Sequence, residues 1–293
     1  MAWTTGDTVM GYRERWRWFD VFAEMMDGWR RHQGGRNASL LAFFSFLSIF
    51  PLFLAAITIL GFLLQDNPGL RESIVNGAVT DIPVLGDQLV QDGPGSIDGS
   101  WLALIVGLGG ALYSSTKAFV ALQTALDDSW EVPLDDRDSF QMQRAKALLG
   151  IVIIGGSQIV SLAITSIVSA AAIPGITQIL LQLLTFVVNI VVIGAMFRWM
   201  TAATPTWSDV WPGAILAGVV VTVLQIFGAR LVQQFANSGK AYGAINTVIG
   251  IVSWLSFIGI AVVMSAELNA ALQRLRKEEH IPSEPRYDLP VRA

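Results

Sequence analysis

The sequence predicts an all-α, polytopic membrane protein: a bundle of six transmembrane helices, preceded by an amphipathic helix at the membrane interface. Two observations carry this prediction. Charged residues make up only 14% of the 293 residues, whereas soluble domains contain roughly 25%. The apolar residues also gather into six runs, each long enough for a membrane helix, which needs about 20 residues. These runs are residues 39–64, 101–126, 147–171, 176–200, 210–235 and 242–272.

The runs favour helices over the strands of a membrane barrel. Residues 215–223 are apolar apart from Thr222, whereas barrel strands alternate between lipid-facing and lumen-facing residues. Pro174 and Gly175 separate the third run from the fourth, because a Pro-Gly pair is a turn signal. One very long helix through this pair is the alternative interpretation.

Residues 1–38 are a predicted cytoplasmic segment that contains the amphipathic helix, over residues 15–31. Charged side chains recur on one face and large apolar ones on another; they are Asp20, Glu24, Asp27 and Arg31, and Phe19, Phe22, Met26 and Trp29. Aromatic and basic residues on one helix are typical of the interface plane of a membrane. Packing on the cytoplasmic ends of the bundle is an alternative that is compatible with this placement.

The distribution of basic residues predicts the topology. With six crossings, fifteen lysines and arginines lie on the side that holds both termini, and three lie on the other, namely Arg71, Arg230 and Lys240. Because cytoplasmic loops carry the excess of basic residues, both termini are expected in the cytoplasm. The transmembrane domain then spans residues 39–272. Residues 273–293 are expected to form a disordered cytoplasmic tail.

Two ionisable residues inside the runs are candidate functional residues. A charge at the centre of a membrane costs about 2.5–3.5 kcal/mol, so it is a functional hypothesis by default. Lys117 in the second run and Glu267 in the sixth lie at similar predicted depths. We therefore expect them to form an ion pair, with structural support as the favoured role and substrate or proton handling as the alternative.

A second group of polar residues is predicted near the outer leaflet. It comprises Gln225, Arg230, Tyr242 and Asn246, which could line a transport cavity or reach the lipid headgroups. In the first run, Pro51 is expected to kink the helix, with Ser48 satisfying a freed backbone group.

Small residues four positions apart predict close helix contacts in the fifth run. They are the pairs Gly213 and Ala217, and Ala214 and Gly218.

No motif points to catalysis. The chain has no cysteine and two histidines, and it contains no HExxH or GxSxG sequence. We therefore expect no enzyme, no catalytic residue, no cofactor, no metal site and no nucleic-acid partner.

Three stretches together resemble the YihY/BrkB family of bacterial inner-membrane proteins, once labelled ribonuclease BN. Residues 38–52 (ASLLAFFSFLSIFPL) are similar to the family's LAY…LSLFP helix. Ala125-Leu126 with Trp130-Glu131-Val132 is similar to AL…W.V. The last third, with Trp-Pro-Gly-Ala at 211–214, Tyr-Gly-Ala at 242–244, Ser-Trp-Leu at 253–255 and Ser-Ala-Glu-Leu-Asn at 265–269, resembles the family's order PGA…YGA…LW…GAELN. Ser265 stands where the family often has glycine, a change between small residues.

The resemblance covers roughly residues 15–275 and implies a six-helix fold in the bacterial cytoplasmic membrane. Some members of the family are associated with envelope integrity and with export of lipids or lipopolysaccharide precursors. The favoured hypothesis is a transporter or flippase for a lipid or other amphipathic envelope component. Its partners would be membrane lipids and that precursor, with the oligomeric state left open. A scaffold for envelope assembly that transports nothing is the alternative.

Overall fold

The computed structural model describes residues 7–63, 101–170, 176–237 and 243–279. The described residues form eight α-helices and a short 3-10 turn at Leu134–Asp136. The helices are α1 (Asp7–Arg15), α2 (Arg17–Arg31), α3 (Gly34–Leu63), α4 (Trp101–Ser129), α5 (Phe140–Ala170), α6 (Ile176–Trp199), α7 (Trp207–Asn237) and α8 (Gly243–Glu279).

The predicted all-α class is confirmed. The six longest helices, α3 to α8, coincide with the six predicted apolar runs, and every regular element among the described residues is helical. α8 continues to Glu279, so the first residues of the predicted polar tail are helical. The rest of that tail, the outer loop at residues 65–100 and the predicted turn at Pro174 and Gly175 lie outside the described residues.

Three stretches of the described residues are long and apolar enough to cross a membrane: Ile105–Ser129, Trp207–Gln225 and Val248–Lys277. Large apolar side chains on the long helices face outward; Leu102 is 72% exposed and Val152 is 67% exposed. Exposed apolar surface of this extent suits contact with lipid rather than water. The fold is that of an all-α membrane protein, and the number of six crossings stays a prediction.

α8 lies at the centre of the packing and contacts α2, α3, α4 and α7. Small residues let the helices approach closely, as predicted for the fifth run. A Cβ atom on Gly213 of α7 would overlap the backbone oxygen of Ser265 on α8, and one on Gly218 would overlap Ile190 on α6. Gly259 on α8 faces the backbone oxygen of Ala38 in the same way. These contacts agree with small-residue packing between membrane helices.

Several helix ends meet at one end of the bundle, here called the polar end. Ser129, the last residue of α4, contacts Glu267 on α8. Thr201, after α6, donates its hydroxyl to Asp127 near the end of α4. Lys146, near the start of α5, donates to the backbone oxygen of the same threonine. The turn between α2 and α3 lies at this end too. The polar end therefore brings together residues from most of the chain.

Candidate functional site

The centre of the polar end is the carboxylate of Glu267, which is fully buried. Its Oε1 accepts a hydrogen bond from Ser129 Oγ at 2.9 Å and lies 2.9 Å from His32 Nδ1. Its Oε2 lies 3.9 Å from Nη2 of Arg274, which is two helical turns further along α8. A buried charge is tolerated only when it is paired and hydrogen-bonded. Glu267 meets this condition with partners from α4, α8 and the turn after α2.

A tight turn between α2 and α3 places His32. α2 ends at Arg31, Gln33 adopts a left-handed backbone (φ 53°), and α3 begins at Gly34. Gly34 is required here because a Cβ atom would overlap the ring of Trp29. The reversal leaves His32 beside α8, where the carboxylate lies.

The end of α4 places a second carboxylate, that of Glu131. The backbone N–H of Val132 donates to Asp127 O at 2.9 Å, and that of Glu131 donates to Asp128 O at 3.0 Å. These two bonds form a Schellman motif, whose penultimate residue adopts a left-handed backbone and is usually glycine. Here it is Glu131, with φ 55°. The uncommon conformation directs this side chain toward the cations at the polar end.

Glu131 and Glu24 bring three cations together. Oε1 of Glu131 lies 2.8 Å from Arg31, 3.4 Å from His32 Nε2 and 3.4 Å from Arg274. Glu24 on α2 pairs with Arg31 at 3.2 Å and with Arg274 at 3.1 Å. Arg274 also donates to the backbone oxygen of Ser129. This contact stabilises the C-terminal end of α4, because cations complement a helix C-terminus. The network therefore ties α2, α4 and α8 to each other.

The same network sets the protonation of His32 and Glu131. Burial would lower the pKa of His32, but the carboxylates of Glu131 and Glu267 outweigh burial and raise that pKa from 6.5 to about 9. Contact with His32, opposed by burial and assisted by Arg274 and Arg31, lowers the pKa of Glu131 from 4.5 to about 2. At neutral pH His32 is therefore an imidazolium cation, and a protonated imidazole cannot act as a general base.

The amphipathic helix predicted over residues 15–31 is present as α2, and its charged face is turned inward. Asp20 is buried, and its carboxylate pairs with Arg13 of α1 at 2.7 Å. Of the predicted apolar face, Phe22 is 43% exposed, whereas Phe19, Met26 and Trp29 are half-buried. This arrangement supports packing on the bundle for the charged face. Contact of the aromatic face with lipid stays a prediction.

The predicted ion pair between Lys117 and Glu267 is wrong. Lys117 makes no ion pair with any described residue, and its ammonium lies 5.6 Å from the ring centroid of Tyr113. Glu267 lies level with Ser129, which is twelve residues beyond Lys117 and so about 18 Å along the axis of α4 at 1.5 Å per residue. A lysine side chain cannot cover that distance.

The predicted outer cluster is described only in part. Gln225 is exposed and accepts a hydrogen bond from Asn189 Nδ2 of α6 at 3.0 Å, while Asn246 is half-buried. Tyr242 and the side chain of Arg230 lie outside the described residues. Whether these residues line a cavity stays a prediction.

The predicted kink in α3 is also left open. α3 is helical through residue 51, while the side chain of Pro51 lies outside the described residues. Ser48 donates its hydroxyl to Phe44 O at 2.7 Å, a bond to its own helix four residues earlier.

Two of the sequence motifs meet beside Glu267. Asn269 on α8 is fully buried; its Oδ1 accepts the backbone N–H of Gly213 at 2.6 Å, and its Nδ2 donates to Val210 O at 3.1 Å. Pro212 lies between these two residues inside α7 and has no N–H of its own. The PGA and ELN segments thus form one contact, in which Asn269 satisfies backbone groups of a proline-containing helix.

Sequence reasoning selected Glu267 but missed its partners. His32 was one of only two histidines, and Arg274 follows Glu267 by seven residues, which places both on one face of α8. These two signals could have identified the cations. Ser129 carried no comparable signal, because hydroxyl residues are common at helix ends.

The arrangement does not form a hydrolytic triad. The Ser129 hydroxyl and the His32 ring both contact Glu267 Oε1, whereas a nucleophilic serine must donate to the histidine. Within the described residues, no three acidic or histidine side chains are placed to hold a metal ion. What the site offers chemically is a buried anion surrounded by cations.

An open cleft of about 380 Å³ adjoins the network. Its lining comes from the end of α2, the start of α3 with the turn between them, and the end of α4 with the segment that follows it. The charged lining residues are Arg31, His32, Arg36, Asp128, Glu131 and Arg137. The polar end therefore contains a basic recess that solvent can enter.

Comparison with known proteins places the chain among membrane proteins. The sequence model of the family described as Virulence factor BrkB matches residues 25–288. YfkH of Bacillus subtilis, whose name calls it ribonuclease-like, is 21% identical over 90% of this chain and 98% of its own length. A UPF0761 membrane protein of Pseudoalteromonas translucida is 25% identical over 86% of this chain and 84% of its own. No solved structure matches the chain.

Proposed function

The chain belongs to the virulence factor BrkB family, and we propose that it moves a lipid or other amphipathic envelope component across the bacterial cytoplasmic membrane. The observation that carries the proposal is the buried Glu267 network next to a basic cleft, at one end of a bundle with exposed apolar sides. An amphipathic cargo has the matching chemistry, because its headgroup needs charged partners and its chains need an apolar surface.

The proposed orientation places the polar end in the cytoplasm, from the bias of fifteen basic residues to three. Single cysteines at Ser96 and Ser283 are expected to react oppositely with an impermeant maleimide applied to spheroplasts, Ser96 before lysis and Ser283 only after it. The chain has no native cysteine to interfere. Labelling of Ser283 in intact spheroplasts would refute the orientation.

Reconstitution into liposomes tests the movement of lipid. Vesicles carry a trace of fluorescent phospholipid, and an impermeant reductant bleaches the outer leaflet. Protein-free vesicles keep about half of their fluorescence, because lipids rarely cross unaided. Vesicles with the full chain are expected to lose nearly all of it. If they retain the same half for a phospholipid and for a lipopolysaccharide precursor, the proposal fails.

A scaffold for envelope assembly is the second candidate. It is favoured by the ion network itself, which links α2 to α8 through Glu24 and Arg274 and α4 to α8 through Ser129 and Glu267, and so holds them in one arrangement. A scaffold predicts unchanged bleaching in the liposome assay, together with an envelope defect when the gene is deleted.

The ribonuclease-like name of YfkH is tested directly by incubating the purified chain with labelled RNA. We expect no cleavage, because the only described histidine, His32, is held as a cation by two carboxylates.

A further inference from the structure

The basic cleft carries more positive than negative charge after its internal ion pairs are taken into account. Arg31 pairs with Glu131 at 2.8 Å, and Arg137 pairs with Asp128 at 2.8 Å. Four cations thus face two carboxylates in the lining. The recess is therefore suited to an anion.

Arg36 is the cation in the lining that stays available. It lies in the first turn of α3 and is exposed, and it makes no ion pair with a described residue. His32, by contrast, is balanced by Glu267, which lies behind the cleft. A guanidinium is well matched to a phosphate, because its planar fork can donate two parallel hydrogen bonds.

The cleft lies at the level of an aromatic cluster. Thr201 bonds Asp127, the neighbour of the lining residue Asp128, so the turn after α6 is at the depth of the cleft. The turn directly follows Trp199, the last residue of α6, which is 44% exposed and packs against Trp207 with 5.8 Å between the ring centroids. Exposed tryptophans next to arginines are typical of the headgroup layer of a membrane. An anion that reaches the cleft at this depth can therefore belong to a lipid.

We propose that this cleft binds the phosphate group of an anionic lipid headgroup, with Arg36 as its principal ligand. The inference deepens the proposed function, since the bound lipid would be the cargo or its entry point. Basic pockets of this kind between membrane helices are known to hold lipid headgroups.

Equilibrium binding to the full chain in neutral detergent tests the inference, with native mass spectrometry as the readout. The probes are dioleoyl phosphatidic acid, dioleoyl phosphatidylcholine and inorganic phosphate. Phosphatidic acid is expected to bind at least tenfold more tightly than phosphatidylcholine. Arg36→Gln should weaken its binding about tenfold, and Arg36→Lys by less, because lysine keeps the charge but loses the fork.

Arg30→Gln is the matched control. Arg30 is exposed, lies six residues before Arg36 and does not line the cleft, so its removal changes the net charge equally. We expect binding within twofold of the unaltered chain. Equal losses in the two glutamine variants, or no loss in either, would overturn the assignment. Inorganic phosphate that binds as tightly as phosphatidic acid would also overturn it, because the site would then serve a free anion.

The binding and liposome assays separate the inference from the proposed function. Loss of binding in Arg36→Gln without any lipid movement by the unaltered chain would refute the transport proposal alone. Lipid movement without selective binding of phosphatidic acid would refute the headgroup site alone.

Discussion

Replacing Glu267 with glutamine tests the network at the polar end most sharply. The substitution keeps the volume but removes the charge that faces His32 and Arg274. The amide oxygen can keep the contacts of Oε1 with Ser129 and His32, but the N–H₂ group then takes the place of Oε2 and faces the Arg274 guanidinium, which is also a donor. Glu267→Gln therefore leaves cations at the polar end without their counter-charge.

The contacts set the size of the effect. Removing one partner of a buried ion pair typically costs 3–5 kcal/mol. Here the cost is expected at the lower end, about 3 kcal/mol, because Arg274 keeps its contacts with Glu24 and Glu131. His32→Gln removes the other side of the same contact. The double substitution should therefore cost less than the sum of the two, by roughly 1–3 kcal/mol.

Thermal unfolding in detergent, followed by tryptophan fluorescence, measures these differences. At roughly 2–4 °C per kcal/mol for a large domain, Glu267→Gln should lower Tm by about 6–12 °C. The matched control is Lys117→Met, whose side chain contacts the ring of Tyr113. An exposed cation–π contact is worth about 0.5–1 kcal/mol, so this change should be small.

Two results would refute the reasoning. Additive effects of His32→Gln and Glu267→Gln would mean that the two side chains do not interact. Coupling of Lys117→Met with Glu267→Gln above about 0.5 kcal/mol would restore the ion pair between these residues that the structure rejects.

Three further outcomes are expected from the same unfolding measurement. Gly28→Ala should cost about 1–3 kcal/mol, because its Cβ would overlap the buried carboxylate of Glu267 and lie 3.0 Å from the Arg274 guanidinium. Gly11→Ala, which has open space around it, should not destabilise the fold. The raised pKa of His32 stabilises the fold fully below pH 6.5, and this stabilisation is lost as pH rises through about 9. The lowered pKa of Glu131 stabilises the fold above pH 4.5, and this stabilisation is lost as pH falls toward about 2. Stability should thus be greatest between these limits, and a maximum near pH 9 would contradict it. Asn269→Ala should cost about 2–3 kcal/mol, since it strands two backbone groups of α7; a Tm within 2 °C of the unaltered chain would contradict this.

Local sequence patterns predicted the helices well because apolar and charged residues recur along the chain with the same period as the turns of an α-helix. The charged and aromatic faces of α2 follow from spacing along the chain alone, and α2 begins and ends within two residues of the prediction. The small residues of α7 were likewise recognised, since close packing of helices requires them wherever the partner lies.

The partners across the bundle were not predictable in this way. Lys117 and Glu267 were matched by depth counted from the ends of the apolar runs, and an error of a few turns at either end breaks such a match. The contact between Gly213 and Asn269 joins positions 56 residues apart. Nothing in the spacing of either segment indicates the other, so the pairing had to come from the packed structure.

Lipid movement by the Glu267 and Lys117 variants tests the central claim, that the polar end and not the mid-helix lysine is the working site. The bleaching rate is measured in liposomes at equal protein content, at a temperature at least 15 °C below the Tm of both variants. The account predicts a rate at least tenfold lower for Glu267→Gln and within twofold of the unaltered chain for Lys117→Met. A full rate in Glu267→Gln together with a lost rate in Lys117→Met would contradict it.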